Sequence, residues 1–386
     1  MPNYFSSAFK LGILGGGQLG KMLLYETRKF DIATHVLDPN PEAPARLACN
    51  YFEKGDLQDF DTVYNFGKKV DVLTFESETI NVDALEKLEK EGVNVFPAPQ
   101  TLRIIQDKGR QKEFYTTKNI PTAPFIVHPG INTLKEAVSE EKQQIPFVWK
   151  STQGGYDGRG VKMIRTVSDL ENLPDVPCLA ETLIPFKNEL AVIVVRRPSG
   201  ESKAYPVVEM EFHPEANQVE YVICPARIDP AVAKKAQETA LQVSKSFKHV
   251  GLLAVELFQT EDDEILVNEV APRPHNSGHY SIEGGYTNQF ENHLRAILDL
   301  PLGSTESKVG AVMVNLVGAE DEEGPVHYKN IEEILKMPGV TPHIYGKALT
   351  RPFRKMGHVT IVNSDLGEAR KIAEEVKGTI KAVKAP

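Results

Sequence analysis

"LLAVELFQTEDDEILVNEV", Leu252 to Val270, alternates apolar and polar residues on either side of an acidic stretch. Alternation of period two broken by a polar cluster predicts a β-hairpin. With Asp262 and Asp263 as the central turn residues, Glu261 faces Glu264, and Glu256 stands opposite Glu269 on one face. Like charges opposed across a strand pair are destabilising, so this register asks for a cation between the carboxylates. Oxygen donors suit Mg²⁺, which keeps part of its shell for waters and phosphates. Asn268, at the same strand end, offers one more oxygen. Two solvated acids on an edge hairpin are the plainer reading of the same residues.

A phosphate partner for such a cation lies a hundred residues upstream. "VWKSTQGGYDGRGVKMI", Val148 to Ile164, reads as two strands flanking a loop with Gly154, Gly155, Gly158 and Gly160. Such a loop turns backbone N–H groups onto an anion and is supple enough to act as a lid. Lys150 ends the entering strand, where an ammonium meets phosphates, and Arg159 offers positive charge to a transferring phosphoryl group. An ordinary flexible hairpin tip is the alternative.

The first hundred residues alternate strand and helix, which implies an α/β unit with a parallel sheet. Its opening loop "GILGGGQLGKM", residues 12–22, fits two motifs at once. Gly15, Gly17 and Gly20 match the dinucleotide fingerprint, with Asp38 imitating its ribose-binding acid. Gly15 to Lys21 also opens a P-loop, but Met22 stands where Ser or Thr is required. After a Pro-broken link the pattern turns to antiparallel strands, interrupted by one long helix. Asp229 caps that helix, Pro230 takes its first position, and Val232, Ala236, Val243 and Phe247 form its apolar stripe. The tail from about Leu302 has strands and a helix of its own. The expectation is three units: α/β, then α+β, then a small α+β cap.

Composition narrows the function classes. The 386 residues carry a net charge of −9, which argues against general attraction to nucleic acid or membrane. Cys49, Cys178 and Cys224 are far apart and match no metal spacing, as in a reducing compartment. "MPNYFSSAFK" lacks the apolar core of a signal peptide, and no apolar run reaches spanning length. A cytoplasmic protein is expected.

Lys108, Lys150, "GGYDGRG", "AETLI" followed by Glu189, and "VEL…VNEVAPRPHNSGH" together resemble the ATP-grasp ligases. Within them, "GGGQLGKM", "APRPHNSGH" and "RKMGH" resemble the 5-(carboxyamino)imidazole ribonucleotide synthase family of purine biosynthesis, in order along nearly the whole chain. The resemblance implies an ATP-grasp fold: a Rossmann-like pre-ATP-grasp domain at 1–107, an ATP-grasp domain at 108–301 with a lid at about 120–183, and a C-terminal α+β domain at 302–386. It also implies ATP and Mg²⁺ as cofactors, and 5-aminoimidazole ribonucleotide and bicarbonate as substrates. Carboxyphosphate would be the intermediate, and the chain would form a homodimer.

Residue by residue, the resemblance implies that Lys108 and Lys150 hold phosphates, with Gly155, Tyr156, Asp157, Gly158, Arg159, Gly160 and Val161 covering them. Glu181, Thr182, Leu183 and Ile184 would line the adenine pocket, Glu189 the ribose, and Glu256 and Glu269 the magnesium, with Asn268 beside them. His213 matches a nucleotide-contacting histidine, one residue out of the usual spacing. Tyr156, Asp157 and Arg159, with Arg273, His275 and Asn276, would surround the reacting bicarbonate and amine. Lys347, Arg351, Arg354 and Lys355 would take the ribonucleotide phosphate, although Phe353 stands where the family has glycine. Gln18, Leu19 and Glu76 would meet the imidazole ribonucleotide, aided by the helix N-terminus; a helix-capping acid is the structural alternative for Glu76. An NAD-dependent dehydrogenase, a nucleotide sensor without turnover, and a formate-using ligase of a neighbouring purine intermediate are the competing functions.

Overall fold

The computed structural model describes residues 4–154, 160–213 and 218–386. Its N-terminal sheet has five parallel strands in the order Tyr51–Lys54, Ala33–Asp38, Lys10–Leu14, Val72–Phe75 and Asn94–Val95. Lys10–Leu14 is central and buried from Leu11 onward, which is why it reads as an unbroken apolar run. The chain leaves this strand to one side for Ala33–Asp38 and later joins its other side with Val72–Phe75. The glycine turn after Leu14 therefore lies at the switch point of the sheet, where open α/β folds form a crevice.

Two antiparallel sheets follow. The smaller runs Phe125–His128, Cys178–Thr182, Phe147–Ser151, Val161–Ile164, and its pairing of Lys150 with Val161 puts Lys150 at the mouth of the glycine hairpin. The larger runs Ile265–Ala271, Gly251–Thr260, Phe186–Arg196, Val208–Phe212, Val219–Cys224, Gly310–Val317, Lys355–Asn363, Val340–Ile344. Together with the parallel sheet this is the mixed α/β and α+β architecture expected of an ATP-grasp fold. The tail builds one small sheet of its own, from Leu349–Thr350, Gly324–Lys329 and Lys381–Lys384, but its longer strands do not stand apart. Val219–Cys224 pairs with Gly310–Val317, so the large sheet continues into the C-terminal unit. An unpaired edge at Val219–Cys224 would expose a row of backbone donors and acceptors, and the tail covers it.

The long helix forms at Pro230–Phe247. Asp229 accepts from the Ala231 N–H, and the whole expected stripe is buried against Val192, Val194, Leu253 and Val255. The acidic hairpin forms too, one residue out of the expected register at its tip. Thr260 N–H bonds to the Glu264 carbonyl and Asp263 takes a φ of 61°, so Glu261 to Asp263 make the turn and Glu261 does not face Glu264. Further down, Leu257 pairs with Val267 but Val255 pairs with Val270. Asn268 and Glu269 therefore share the place opposite the single residue Glu256, a β-bulge that absorbs the offset. The facing of Glu256 and Glu269 survives, through a bulge the alternation does not show.

One buried histidine ties the large sheet to the N-terminal sheet, and a second braces the same strand start. His293 accepts the Leu252 N–H at Nδ1 (3.1 Å) and meets Thr74 Oγ1 through Nε2 at 3.0 Å. His249 Nε2 meets the Leu252 carbonyl at 2.9 Å. Both are fully buried, and burial pushes the imidazoles down to about 3 for His293 and about 4 for His249. Lowered values mean that the unfolded chain binds these protons first. The stabilisation is complete above the unfolded value of about 6.5 and is lost as pH falls toward 4. Two protons taken up on unfolding give a slope of up to about 2.7 kcal/mol per pH unit. Urea midpoints measured from pH 7 to pH 4.5 should fall steeply, and His293→Gln should flatten the profile; a profile that ignores this substitution contradicts the assignment.

Candidate active site

The acid pair sits in a cage of lysines. Lys108 opens the helix Lys108–Thr117, is followed one turn on by Lys112, and its own N–H bonds to the Thr152 carbonyl at 2.8 Å. Its ammonium is paired with Glu269. Lys150 reaches Asn268 Oδ1 at 3.0 Å and Glu181 at 3.2 Å, and Lys112 reaches Glu181 at 3.1 Å. Glu189, on the strand beside Gly251–Thr260, faces the same space. Electrostatics separate these groups. Lys108, then burial working against it, leaves the Glu269 carboxyl well below the usual range. Burial, then the charge of Glu269, lifts Glu256 well above it. Burial raises Glu189 to about 7 against the pull of Lys150, and lowers Lys112 to about 8 against the pull of Glu181. Two carboxylates and an amide oxygen at one bulge, one of them already neutralised by an ammonium, are a donor set that fits a hard divalent cation.

The glycine turn is closed from inside. Glu76, at the end of the strand Val72–Phe75, accepts from the N–H groups of Gly17 (2.9 Å), Leu19 (3.1 Å) and Gly20 (3.1 Å). A Cβ on Gly17 would stand 2.7 Å from Glu76 Oε1, so glycine is what lets the carboxylate in. Asp38 accepts from the Gly16 N–H at 2.7 Å, and Lys21 donates to the Ile344 carbonyl at 2.9 Å. Asp38 and Lys21, the two residues that imitate nucleotide motifs, thus complete the turn with Glu76 and fasten it to the C-terminal unit. The helix N-terminus here holds Glu76, the capping alternative for that acid, and the Leu19 side chain packs in the core. Gln18, the first helical residue, stays partly exposed.

Beyond the acid strand, Arg273 reaches Glu78 at 3.0 Å, across from the N-terminal sheet. His275 Nε2 stands 3.6 Å from Glu256 Oε1, while its Nδ1 accepts the Ser277 N–H at 3.3 Å. Asn276 exchanges two hydrogen bonds with Asn315, at 2.8 and 2.9 Å. Its amide thus ties the turn Asn276–Gly278 to the strand Gly310–Val317. In the basic loop, Lys347 donates to the Lys355 carbonyl at 2.7 Å, Arg354 donates to the Leu349 carbonyl at 2.7 Å, and Arg351 is exposed. Phe353 takes a φ of 58°, the conformation for which glycine is suited. Its ring packs edge-on to His213 at 5.9 Å; strain of about 1–2 kcal/mol stands against that contact. His213 thus meets the C-terminal unit. Glu181 and Thr182 end the strand Cys178–Thr182, Leu183 and Ile184 follow it half-buried, Gly160 bonds to the Ser151 N–H, and Val161 starts the returning strand. Gly155, Tyr156, Asp157, Gly158 and Arg159 lie outside the described residues.

Known proteins share this arrangement. Residues 8–106 match the ribonucleotide synthetase preATP-grasp domain, 113–290 the ATP-grasp domain, and 311–372 the phosphoribosylaminoimidazole carboxylase C-terminal domain. The N5-carboxyaminoimidazole ribonucleotide synthase of Bacillus subtilis is 37% identical over 91% of this chain and 91% of its own length. The crystal structure of the Thermotoga maritima synthetase superposes with a TM-score of 0.89, at 41% identity, over 98% of this chain and all of that one. The chain belongs to the N5-carboxyaminoimidazole ribonucleotide synthase family. It is an ATP-grasp ligase. The phosphoribosylaminoimidazole carboxylase of Candida albicans is also similar, at 40% identity over 93% of this chain, which spans 65% of that longer protein. The crystal structure of the Aspergillus clavatus N5-carboxyaminoimidazole synthase in complex with ADP and 5-aminoimidazole ribonucleotide superposes with a TM-score of 0.87, at 35% identity, over 96% of this chain and 99% of that one.

Sequence reasoning missed Lys112 and Glu78. Lys112 had a signal: it follows Lys108 by four residues, which puts both ammonium groups on one helix face. Glu78 had none beyond its nearness to Glu76. Glu76 itself yields a test. Glu76→Ala strips an acceptor from three N–H groups, and should lower stability by about 2–4 kcal/mol in urea unfolding. A variant of unchanged stability that binds the ribonucleotide poorly would instead give this acid to the substrate.

Proposed function

We propose that this chain carboxylates the exocyclic amine of 5-aminoimidazole ribonucleotide with bicarbonate, at the expense of ATP, in purine biosynthesis. The observation that carries the reading is the convergence of Lys108, Lys150, Asn268, Glu256 and Glu269 where the glycine hairpin meets the bulged acid strand. The similar proteins named above point to the same reaction, and they do not favour the formate-using ligase. The dehydrogenase has no site here, since Asp38 and Glu76 fill the turn that its pyrophosphate needs.

The chemistry has two steps. A bicarbonate oxygen takes the γ-phosphoryl group of ATP, giving carboxyphosphate and ADP. The amine nitrogen then attacks the carboxyl carbon, the N–C bond forms, the C–O bond to phosphate breaks, and the amine loses a proton. Mg²⁺ held by Glu256, Glu269 and Asn268 would screen the phosphate charges. Lys108 and Lys150 bind the phosphates: both already lie against anionic or carbonyl oxygens at the bulge, and phosphate oxygens replace these partners at little cost in geometry. Glu189 accepts from the ribose hydroxyls, for which a desolvated carboxyl is well suited. Thr182, Leu183 and Ile184 border the adenine, with the residues of the glycine loop covering the phosphates.

His275 acts as a hydrogen-bond donor. With Nδ1 turned to the Ser277 N–H and hydroxyl, Nε2 is the nitrogen that faces Glu256 and donates. Its proton reaches the bicarbonate oxygens, and Arg273 adds a fixed positive charge beside them. The ribonucleotide lies between the N-terminal sheet and the C-terminal unit, its phosphate on Lys347, Arg351, Arg354 and Lys355. A homodimer in the cytoplasm completes the proposal; among the described residues no helix is long and apolar enough to cross a membrane.

Two variants test these roles. Glu269→Gln removes a carboxylate from the acid pair and should cut ADP formation at least about a hundredfold; ordinary turnover in this variant would remove the metal site from the acid strand. Lys347→Ala should raise the Michaelis constant for the ribonucleotide roughly tenfold with kcat little changed, the mark of a lost ground-state contact. A fall in kcat alone would place the phosphate elsewhere.

A further inference from the structure

The segment between Ala271 and His279 carries Arg273 and His275 away from the acid strand, and its path is set by one buried glutamine. Gln289 opens the helix Gln289–Ile297 and is wholly inaccessible to solvent. Its Oε1 accepts the His275 N–H at 2.9 Å, and its Nε2 donates to the His275 carbonyl at 2.8 Å. These are the two bonds that a neighbouring strand makes to a paired residue. The same Nε2 lies 2.9 Å from His279 Nδ1. The amide is held from the other side as well: a Cβ on Gly278 would stand 2.5 Å from Gln289 Oε1. Packing alone would favour an apolar side chain of this volume, because a buried amide gains only what its partners return.

The His279 ring stacks on His358 at 4.6 Å, and His358 stacks on His343 at 4.5 Å. His343 and His358 belong to the strands Val340–Ile344 and Lys355–Asn363, which flank the basic loop. One amide thus grips the backbone of His275 and touches the stack that reaches the C-terminal unit. His275 in turn stands 3.6 Å from Glu256.

We propose that Gln289 is a positioning residue for the carboxylation step. It touches no substrate; it sets where the His275 imidazole stands above the acid pair, and so decides whether the activated carboxyl group is captured by the amine. This rests on the carboxylating function proposed above.

The test compares Gln289→Ala, the isosteric Gln289→Glu, Gly278→Ala and the double variant Gly278→Ala/Gln289→Ala in the full chain. Nucleotide affinity is read by calorimetry, and the ratio of ADP released to ribonucleotide carboxylated by coupled assays. Wild type should form ADP only with the ribonucleotide and bicarbonate both present; if it does not, the functional reading fails before any variant is judged. Given that activity, the single variants should bind ATP within about threefold of wild type. Product formation should drop about 10–100-fold, the usual effect of a misplaced group, and the ADP-to-product ratio should rise above one. The double variant should be no worse than either single, because both disturb one clasp. A ratio that stays at one while affinity and turnover fall together marks Gln289 as a plain core residue and overturns the proposal. Should Gln289→Ala fail to fold, Gln289→Glu, which keeps the volume and puts an acid oxygen against the His275 carbonyl, gives the same two outcomes.

Discussion

The repulsion between Glu256 and Glu269 is the constraint around which this molecule is arranged. Two unit charges about 4 Å apart at an effective dielectric near 20 repel by about 4 kcal/mol, and burial adds to that cost. The fold answers in three ways. A bulge turns both acids to one side, the Lys108 ammonium settles on Glu269, and the Glu256 carboxyl is pushed toward its neutral form. Each answer is an incomplete substitute for a cation. Lys108 belongs to a helix whose first N–H is tied to the lid strand, so the charge that relieves the acids is supplied from the opposite side of the cleft. A metal–polyphosphate arriving there would take over Glu269 and release Lys108 to the phosphates. The apo contacts are in that sense a rehearsal of the bound ones.

The same logic runs in reverse at the glycine turn. A helix N-terminus with three open N–H groups is an anion site by construction, and in nucleotide-binding folds it faces a ligand. Here the anion is internal. Glu76 and Asp38 occupy the turn from within the sheet, and Lys21, the lysine that made the stretch look like a P-loop, points to carbonyls of the C-terminal unit. The turn has become a joint between units, which frees the neighbouring crevice for a substrate without a pyrophosphate.

What could be read in the sequence was local. The hairpin, the glycine loop between strands and the capped helix Pro230–Phe247 each follow from periodicity and end signals within twenty residues. The facing acids were legible as well, although through a register that is right at Glu256 and one residue out at the tip. The bulge escaped because nothing in the alternation marks it; it exists to reconcile a three-residue turn with the placing of Glu269. The continuous large sheet escaped for another reason. Pairing of Val219–Cys224 with Gly310–Val317 joins segments ninety residues apart, and both read equally well as edge strands. Glu76 shows the limit most clearly. A glutamate at a strand's carboxyl end beside a crevice has the pattern of a substrate ligand, and only its distances to Gly17, Leu19 and Gly20 make it a cap.

The ties between units also say which part of the cleft can adapt to ligand. The C-terminal unit is fastened to the rest by the Asn276–Asn315 pair, Lys21 on the Ile344 carbonyl, His343 on Glu283 at 2.8 Å, and ion pairs of Arg370 with Glu211 at 2.8 Å and of Lys377 with Glu220. No step of the proposed reaction has a claim on any of those partners. The smaller sheet, by contrast, meets the acid strand through Lys150 on Asn268, a contact whose partner a polyphosphate would replace. A polyphosphate bound as proposed would therefore change the contacts of the smaller sheet and leave those of the C-terminal unit as they stand. A reaction that must keep water from an acyl phosphate is served by that division, since the groups that hold the amine and the carboxyl group keep their spacing while the cover closes over them.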